Sequence, residues 1–481
     1  MLEEVKAFVL LEAEGLGCRL TVSPEAPPAS AEGAAIVAAG LLRLPSIDWA
    51  AASRRTWART HVRWLVGILV VALVLRVVWV FAVQPDPRDG RFDDSVWYHN
   101  SARLLADGHG YVNYGELTPT ALWAPGYPLT LAGLFLLPGD DVAAARVLNL
   151  AAGLGMIAGI YFLGSRLWDR RAGLFAAGIM ALFPSHIYFS SLVMTEVFFT
   201  AGAVGVLCLA FAWTLRDDVP PWRVAVLGVA TALLAMVRPE GSMFAVMIVA
   251  TWVAYHRSLR RVAMFAGLLA LGMALVYVPW TVRNIIQIDA PVVSTNGLGP
   301  VLIQGHNADA GGRPDLFTVV RFGQQYEYLP LPEREVRINT EATKESIDYA
   351  LHHIPRELSL VPHRLAWFFR GDDTVVFWVN HGEPSEFSAK WEDRWMGLAN
   401  VYYYIVAGMM VLGLPFWLRR MDRRHVLIWA PFAVYTAMWA FLFVGEARYH
   451  FPLLPIFALL AGIGLAAFLQ RLAGWRASNA N

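Results

Sequence analysis

The sequence predicts an all-α polytopic membrane protein of about ten transmembrane helices, and three observations predict it. The chain of 481 residues is 57% hydrophobic with a mean hydropathy of +0.46. Its charged fraction is 16%, against about a quarter in soluble domains. Apolar runs of nearly 20 residues recur through most of its length, as needed to cross a hydrocarbon layer of roughly 30 Å. The formal net charge of +1 offers no basic footprint, so no nucleic-acid partner is expected. Cys18 and Cys208 fall in a tail and a span, which argues against a disulfide framework.

The first span runs from Trp64 to Val83 and is apolar except for Arg76. Further spans are expected at 143–164, 174–193, 197–215, 222–237, 243–255, 262–280, 398–418, 426–444 and 452–470. Arginines mark alternate loops: Arg54, Arg55, Arg59 and Arg63, then Arg166, Arg170 and Arg171, then Arg216 and Arg223. Arg257, Arg260 and Arg261, then Arg419, Arg420, Arg423 and Arg424, then Arg471 and Arg476 continue the series. The positive-inside rule puts these loops and both termini in the cytoplasm of a multi-pass plasma-membrane protein. It also requires residues 222–255 to cross twice, as two short helices. The apolar stretch Pro128 to Leu137 is too short to cross and is expected to dip into the outer leaflet.

Residues 1–62 form a separate N-terminal extension, rich in acids, Ala and Pro, expected to be cytoplasmic and poorly ordered. They do not read as a signal peptide, since the basic cluster and long apolar run begin only near Arg54. Residues 63–470 form the transmembrane domain, and 471–481 a cytoplasmic tail. Two segments lie outside, a first loop at 84–142 and a large loop at 281–397. In the latter, Glu333 to His353 has helical spacing, and Ile354 to Arg370 suits a helix lying on the membrane surface. Trp378, Trp391 and Trp395 suit an aromatic belt.

Polar clusters converge on the outer side. Asp93 and Asp94 sit just past the first span, where paired acids suit a base and its electrostatic partner acting on a lipid-carried substrate. The same residues suit the N-cap of the next helix, whose Tyr98, Ala102 and Leu105 share a face. Ala124-Pro125-Gly126-Tyr127-Pro128 returns the chain to the membrane. Met194-Thr195-Glu196 ends a span, and Arg238-Pro239-Glu240-Gly241 joins the two short helices at membrane depth. Charged groups there are expensive and usually functional, with a mutual Arg238–Glu240 pair as the simpler reading. Arg283 and Asn284 are followed by Ser294-Thr295-Asn296-Gly297 and by His306 and Asn307; Arg448 and Tyr449 begin the last span. Arg283 and Arg448 fall outside the positive-inside pattern, which suits them to phosphate or to interfacial snorkelling. No Gly-rich phosphate loop and no His-Glu-x-x-His motif is present, so nucleotide-driven transport and zinc proteolysis lose their usual support.

The run DDSVWYHNSARLLADGHGY, then PTALWAPGYP, MTE, MVRPEG, PWTVRN with STNG and QGHN, and RYHFPLLPIFALLAG resembles the C-type (GT-C) membrane glycosyltransferases. In particular it resembles the family of dolichyl-phosphate-mannose protein mannosyltransferases and lipid A aminoarabinose transferases, over about residues 63–470. The resemblance implies a GT-C fold and the transfer of a hexose or pentose from a polyprenyl-phosphate donor. The acceptor is a lipid, glycan or protein on the extracytoplasmic face, and membrane lipids surround the enzyme. It implies Asp94 as general base, because Tyr98 follows four residues later, with Asp93 as a shifted second carboxylate and Glu196 as the second outer acid. Tyr98, Tyr127, Arg238, Glu240, Arg283, Asn284, His306, Asn307, Arg448 and Tyr449 are the expected substrate-binding residues. No cofactor is required. A divalent cation between Asp94 and Glu196 is chemically conceivable, but no metal-spacing motif supports one.

Two other readings compete. An O-antigen-ligase-like transferase would share a large outer loop but not the Asp pair after the first span. A multi-span transporter or lipid flippase would show internal repeats and midplane charges, whereas here no repeat is evident and the acids cluster at one surface.

Overall fold

The computed structural model describes residues 49–88, 94–379 and 389–479; by internal contacts the chain divides into 1–60 and 61–481. Asp93 and residues 1–48 of the expected extension lie outside the described residues. Those described are helical apart from turns and one isolated bridge between Val112 and Pro119. The first half comprises α1 (Trp49–Val83), α2 (Asp94–Ala106), α3 (Gly126–Phe135), α4 (Asp141–Leu167), α5 (Arg170–Ala181), α6 (Pro184–Tyr188), α7 (Thr195–Thr214), α8 (Pro221–Val237) and α9 (Met243–Tyr255). The second comprises α10 (Leu259–Ile288), α11 (Leu298–Gly305), α12 (Leu316–Gln324), α13 (Leu331–His352), α14 (Ile354–Phe368), α15 (Thr374–Phe377), α16 (Ala389–Leu418), α17 (Val426–Phe441) and α18 (Leu454–Asn479).

Local chemistry sets the helix starts. Asp140 accepts from the Ala143 amide and Asp169 from the Ala172 amide, capping α4 and α5. Pro184 and Pro221 occupy first-turn positions of α6 and α8, where a missing N–H costs nothing.

Each of the ten stretches expected to cross is largely helical, though 174–193 is divided between α5 and α6. Among the described residues, however, six helical segments alone are long and apolar enough to cross: Thr60–Val83, Asp141–Leu167, Thr195–Thr214, Leu259–Ile288, Trp391–Leu418 and Ala447–Arg476. A seventh span results if Arg170–Ala181 and Pro184–Ser191, bent by 60°, count as one. Pro221–Val237 is apolar but shorter.

Pro128 to Leu137, the stretch expected to dip into the outer leaflet, has protein neighbours. It forms most of α3, which packs against α2, α4 and α8 with Tyr127 and Leu131 wholly buried. Leu129, Leu136 and Leu137 of the same stretch are exposed. In the large loop α13 packs on α11, and Ile303, Phe322 and Ala342 make a small core under α12. The stretch from Ile354 does form a helix, α14. Its Arg364 is buried rather than on an outer face, donating to Gly305 O at 2.7 Å and Glu357 at 2.8 Å.

Helix ends gather in two sets. One set is stitched together by Trp252 donating to Thr214 at 2.8 Å, Arg261 to Asp217 O at 3.2 Å, and His425 against Leu167 O at 3.2 Å. The other holds the polar clusters described below. Between them, α8 and α10 approach backbone to backbone. A Cβ on Gly228 would lie 2.2 Å from Leu269 O, and one on Gly272 would lie 2.0 Å from Ala225 O, the close approach that small residues permit between membrane helices. Gly272→Val should therefore destabilise the protein by about 1–3 kcal/mol through overpacking. Gly267→Val, where a Cβ meets nothing within 4 Å, should not. Thermal unfolding of both variants in detergent checks this, and equal midpoints would refute the α8–α10 contact.

Candidate active site

Two short interruptions in the helical framework place two acids. After α1 the chain turns, and α2 starts at Asp94 with Tyr98 and Ala102 buried against the bundle. The second interruption breaks the expected span at 174–193 between α5 and α6, so the chain reaches Thr195 and Glu196 at the start of α7 through the short α6, a 3₁₀ turn and non-helical residues at 192–194. Irregular backbone inside a membrane protein must find protein partners, and α1 and α4 supply them. Arg76 donates to Ala181 O at 3.1 Å and Trp79 to Tyr188 O at 3.2 Å. Arg146 donates to Ser191 O at 3.2 Å and also to Pro85 O. Asn149 donates to Leu192 O at 2.7 Å.

The acids meet at one guanidinium. Arg448 NH2 lies 2.7 Å from Asp94 Oδ2, and its Nε lies 2.5 Å from Glu196 Oε1. Arg238 approaches the same Glu196 oxygen at 3.1 Å and pairs through Nε with Glu240 at 2.6 Å. Five side chains expected to act together are thus brought together: Asp94, Glu196, Arg238, Glu240 and Arg448. The Arg238–Glu240 pair expected as the simpler reading exists, and it is one limb of the larger network. The two acids differ in access: the Glu196 side chain is 1% exposed and that of Asp94 is 20%.

Aromatic rings wall the cluster. Trp378 lies under the Arg448 guanidinium at 4.9 Å and Phe199 under that of Arg238 at 5.7 Å. Tyr98 meets the edge of Tyr127 at 5.4 Å, and Tyr449 stacks on Trp439 at 4.0 Å. Burial, then the Asp94 charge, pushes the Tyr98 hydroxyl up, so it stays protonated. Glu446 adjoins the network; burial raises its carboxyl and Arg448 opposes the shift. Among the described residues no group of three or more His, Cys, Asp or Glu converges as a metal site would require.

Four other expected binding residues are engaged elsewhere. Arg283 donates to Tyr111 O at 2.5 Å, Thr120 O at 2.8 Å and Asn284 at 2.9 Å. Asn284 is buried and donates to Val292 O at 2.8 Å. His306 contacts Leu442 O and Glu357, each at 3.0 Å, and Asn307 donates to Ile303 O at 2.7 Å. None of these hydrogen bonds or ion pairs reaches the acidic cluster. Arg283 does line a cavity of about 1000 Å³ between the first loop, α8 and α10, together with Tyr111, Gly126, Met236 and Trp280. Gly126 is required there: its Cβ would lie 2.6 Å from Met236 O, two residues before Arg238.

Several contributors carry no local signal in the sequence. Trp378 reads as an interfacial anchor, yet it covers Arg448. Glu335, on α13, is buried and accepts from Thr120 Oγ1 at 2.8 Å, docking the large loop on the first. Thr120 is 215 positions away in sequence, so only the fold could reveal the pair.

Comparison with known proteins bears on this arrangement. Residues 123–282 match the family model described as dolichyl-phosphate-mannose-protein mannosyltransferase. The resemblance read from the motifs is thereby shown over a segment that includes Tyr127, Glu196, Arg238 and Glu240. No curated protein sequence matches the chain. Among solved structures it is similar to the apo Archaeoglobus fulgidus oligosaccharyltransferase, at 13% identity and a TM-score of 0.50, covering 87% of this chain and 52% of that one. It is also similar to the archaeal oligosaccharyltransferase AglB from Archaeoglobus fulgidus in complex with an inhibitory peptide and a dolichol-phosphate (14% identity, TM-score 0.48, 87% and 52% coverage). A third similar structure is ArnT from Cupriavidus metallidurans bound to undecaprenyl phosphate (16% identity, TM-score 0.38, 84% and 78% coverage). The chain spans about half the length of the archaeal structures it matches. At such identities the apo archaeal structure shows a shared helical fold over the matched part and nothing finer.

Burial pushes the Glu335 carboxyl up to about 7, with the Thr120 hydrogen bond opposing. The folded value exceeds the unfolded one of 4.5, so the native state binds more protons between them. The stabilisation is complete below pH 4.5 and is lost as pH rises through about 7. At most roughly 3 kcal/mol is at stake. Glu335→Gln should keep the Thr120 contact and flatten the pH dependence of unfolding over that window. A variant as pH-sensitive as wild type would clear Glu335 of the effect.

Proposed function

We propose that the chain is a membrane glycosyltransferase that moves a sugar from a polyprenyl monophosphate to an acceptor hydroxyl or phosphate at the extracytoplasmic face. The observation that carries the reading is one guanidinium, Arg448, held between a half-buried and a fully buried carboxylate where several helix ends meet. The reaction needs a base near a bound phosphate, and this cluster supplies both kinds of group. The family match supports the substrate class. The arginine-rich loops favour an external site. Those around Arg170, Arg223, Arg260 and Arg423 join the helix ends opposite the ones that carry Asp94, Glu196, Arg238 and Arg448.

In this mechanism Asp94 is the base, being the more accessible acid. It takes the proton from the acceptor oxygen as that oxygen attacks the anomeric carbon. The bond from that carbon to the phosphate oxygen breaks, and polyprenyl phosphate leaves with the electron pair, inverting the anomeric centre. Arg448 has five donors, of which Nε and NH2 are engaged here. The donor phosphate competes for them and stabilises its own developing charge there, while Asp94 is released toward the acceptor. Glu196, wholly buried, holds Arg448 and Arg238 in register. Sugar and acceptor would be selected in the cavity beside Arg283 and by the large loop.

Asp94→Asn keeps the shape and removes the base, so sugar transfer in membranes should fall about 10²- to 10⁴-fold while the protein accumulates normally. Transfer at the wild-type rate would sink the assignment. Arg448→Ala should instead raise the KM for the lipid donor and lower kcat, leaving the acceptor KM unchanged.

A further inference from the structure

We infer that His450 and Asp372 form a positioning pair that fixes Arg448 from behind, outside the charged network itself. This inference rests on the functional reading above, since it assigns Arg448 the donor phosphate. Arg448 and His450 lie on one 3₁₀ segment, Ala447–Leu453. With three residues per turn, positions two apart face different sides. Arg448 points at Asp94 and Glu196, and His450 points into the protein, wholly buried.

His450 is held on every side. Its Nδ1 lies 2.6 Å from Phe368 O, the carbonyl at the end of α14, and its Nε2 lies 3.6 Å from Asp372 Oδ1. Its ring stacks on Tyr403 at 4.9 Å. A carbonyl can only accept, so Nδ1 carries a hydrogen. Nε2 is left facing the buried Asp372 carboxylate, at ion-pair rather than hydrogen-bond distance. Asp372 is anchored in turn, its amide donating to Asn400 Oδ1 at 2.8 Å, while Asn400 Nδ2 donates to Asp373 at 2.8 Å.

The pair controls both supports of Arg448. One support is the backbone of its own 3₁₀ segment, which His450 ties to the end of α14. The other is Trp378, whose ring lies 4.9 Å from the guanidinium at the end of α15. Asp372 is two residues before α15, so fixing its position fixes the helix that presents Trp378. One buried contact thus locks the segment bearing the arginine to the segment bearing the ring beneath it. Neither His450 nor Asp372 touches the reacting groups, so each acts through Arg448.

Binding of undecaprenyl phosphate to the purified full chain in detergent tests this without requiring transfer. The variants are Arg448→Ala, His450→Gln, Asp372→Asn, and each of the latter two combined with Arg448→Ala. His450→Gln and Asp372→Asn should each weaken binding by about tenfold, the scale of a lost charge-assisted contact. In the Arg448→Ala background neither should weaken it further, because residues acting through one group are not additive. Asp372→Asn keeps side-chain shape and carries the test alone where His450→Gln fails to accumulate. Equal losses in both backgrounds, with a lowered melting temperature, would mean a general structural role and overturn the inference; so would single variants that bind normally. If Arg448→Ala itself binds as wild type does, the functional reading fails first and the positioning role falls with it.

Discussion

Five ionisable side chains removed from water need one another. Desolvating a carboxylate or guanidinium costs several kcal/mol apiece, and removing one member of a buried pair typically costs about 3–5 kcal/mol because its partner is stranded. Asp94, Glu196, Glu240, Arg238 and Arg448 meet that requirement by sharing: Glu196 accepts from both arginines, and each arginine reaches a second acid. The acids and bases come from α2, α7 and the segments that begin α9 and α18. Closing the network therefore fixes how four distant parts of the chain assemble. The unequal exposure of Asp94 and Glu196 follows from this sharing. The carboxylate with two cationic partners can be buried completely; the one with a single partner keeps access to solvent.

Glu196 occupies that position only because a membrane span is broken ahead of it. An unbroken helix from Arg170 to Ser191 would leave its carbonyls internally satisfied and carry the chain straight on. The break at Leu182-Phe183-Pro184 frees carbonyls, and Arg76, Trp79, Arg146 and Asn149 each take one. Arg146 is the joint between the two acid-bearing segments, since it donates to Pro85 O before α2 and to Ser191 O before α7. Arg76, the one charge in the first span, is a partner for backbone carbonyls.

What could be read from the sequence was what depends on local pattern and on side of the membrane. Apolar length marked the positions of the helices, and arginine placement separated their ends into two sets. That separation put Asp94, Glu196, Arg238, Glu240 and Arg448 on one side, but together with Arg283, Asn284, His306 and Asn307, which it could not tell apart from them. Length alone could not decide how many helices cross, because α8, α9 and α17 are shorter than a bilayer requires. Contacts between remote positions were illegible: Thr120 with Glu335, Arg448 with Trp378, His450 with Asp372. Each member, taken singly, is an ordinary loop or interfacial residue. His306 and Asn307 look like a polar binding motif, yet their side chains reach Leu442 O, Glu357 and Ile303 O.

The arginines outside the cytoplasmic pattern make the same distinction in chemical terms. Arg283 and Arg448 look equivalent in sequence, each placed at an outer helix end. Arg283 gives its donors to two backbone carbonyls and an amide oxygen, all neutral acceptors that hold a loop against α10. Arg448 gives its donors to two carboxylates. A phosphate arriving at Arg283 would have to displace the carbonyls of Tyr111 and Thr120 and so loosen the loop. At Arg448, in the proposed reaction, it would exchange one anion for another, and the carboxylate displaced would be Asp94, the proposed base. Ion exchange at a buried guanidinium conserves its charge pairing throughout, so a site built this way would be stable when empty and still open to the proposed charged lipid.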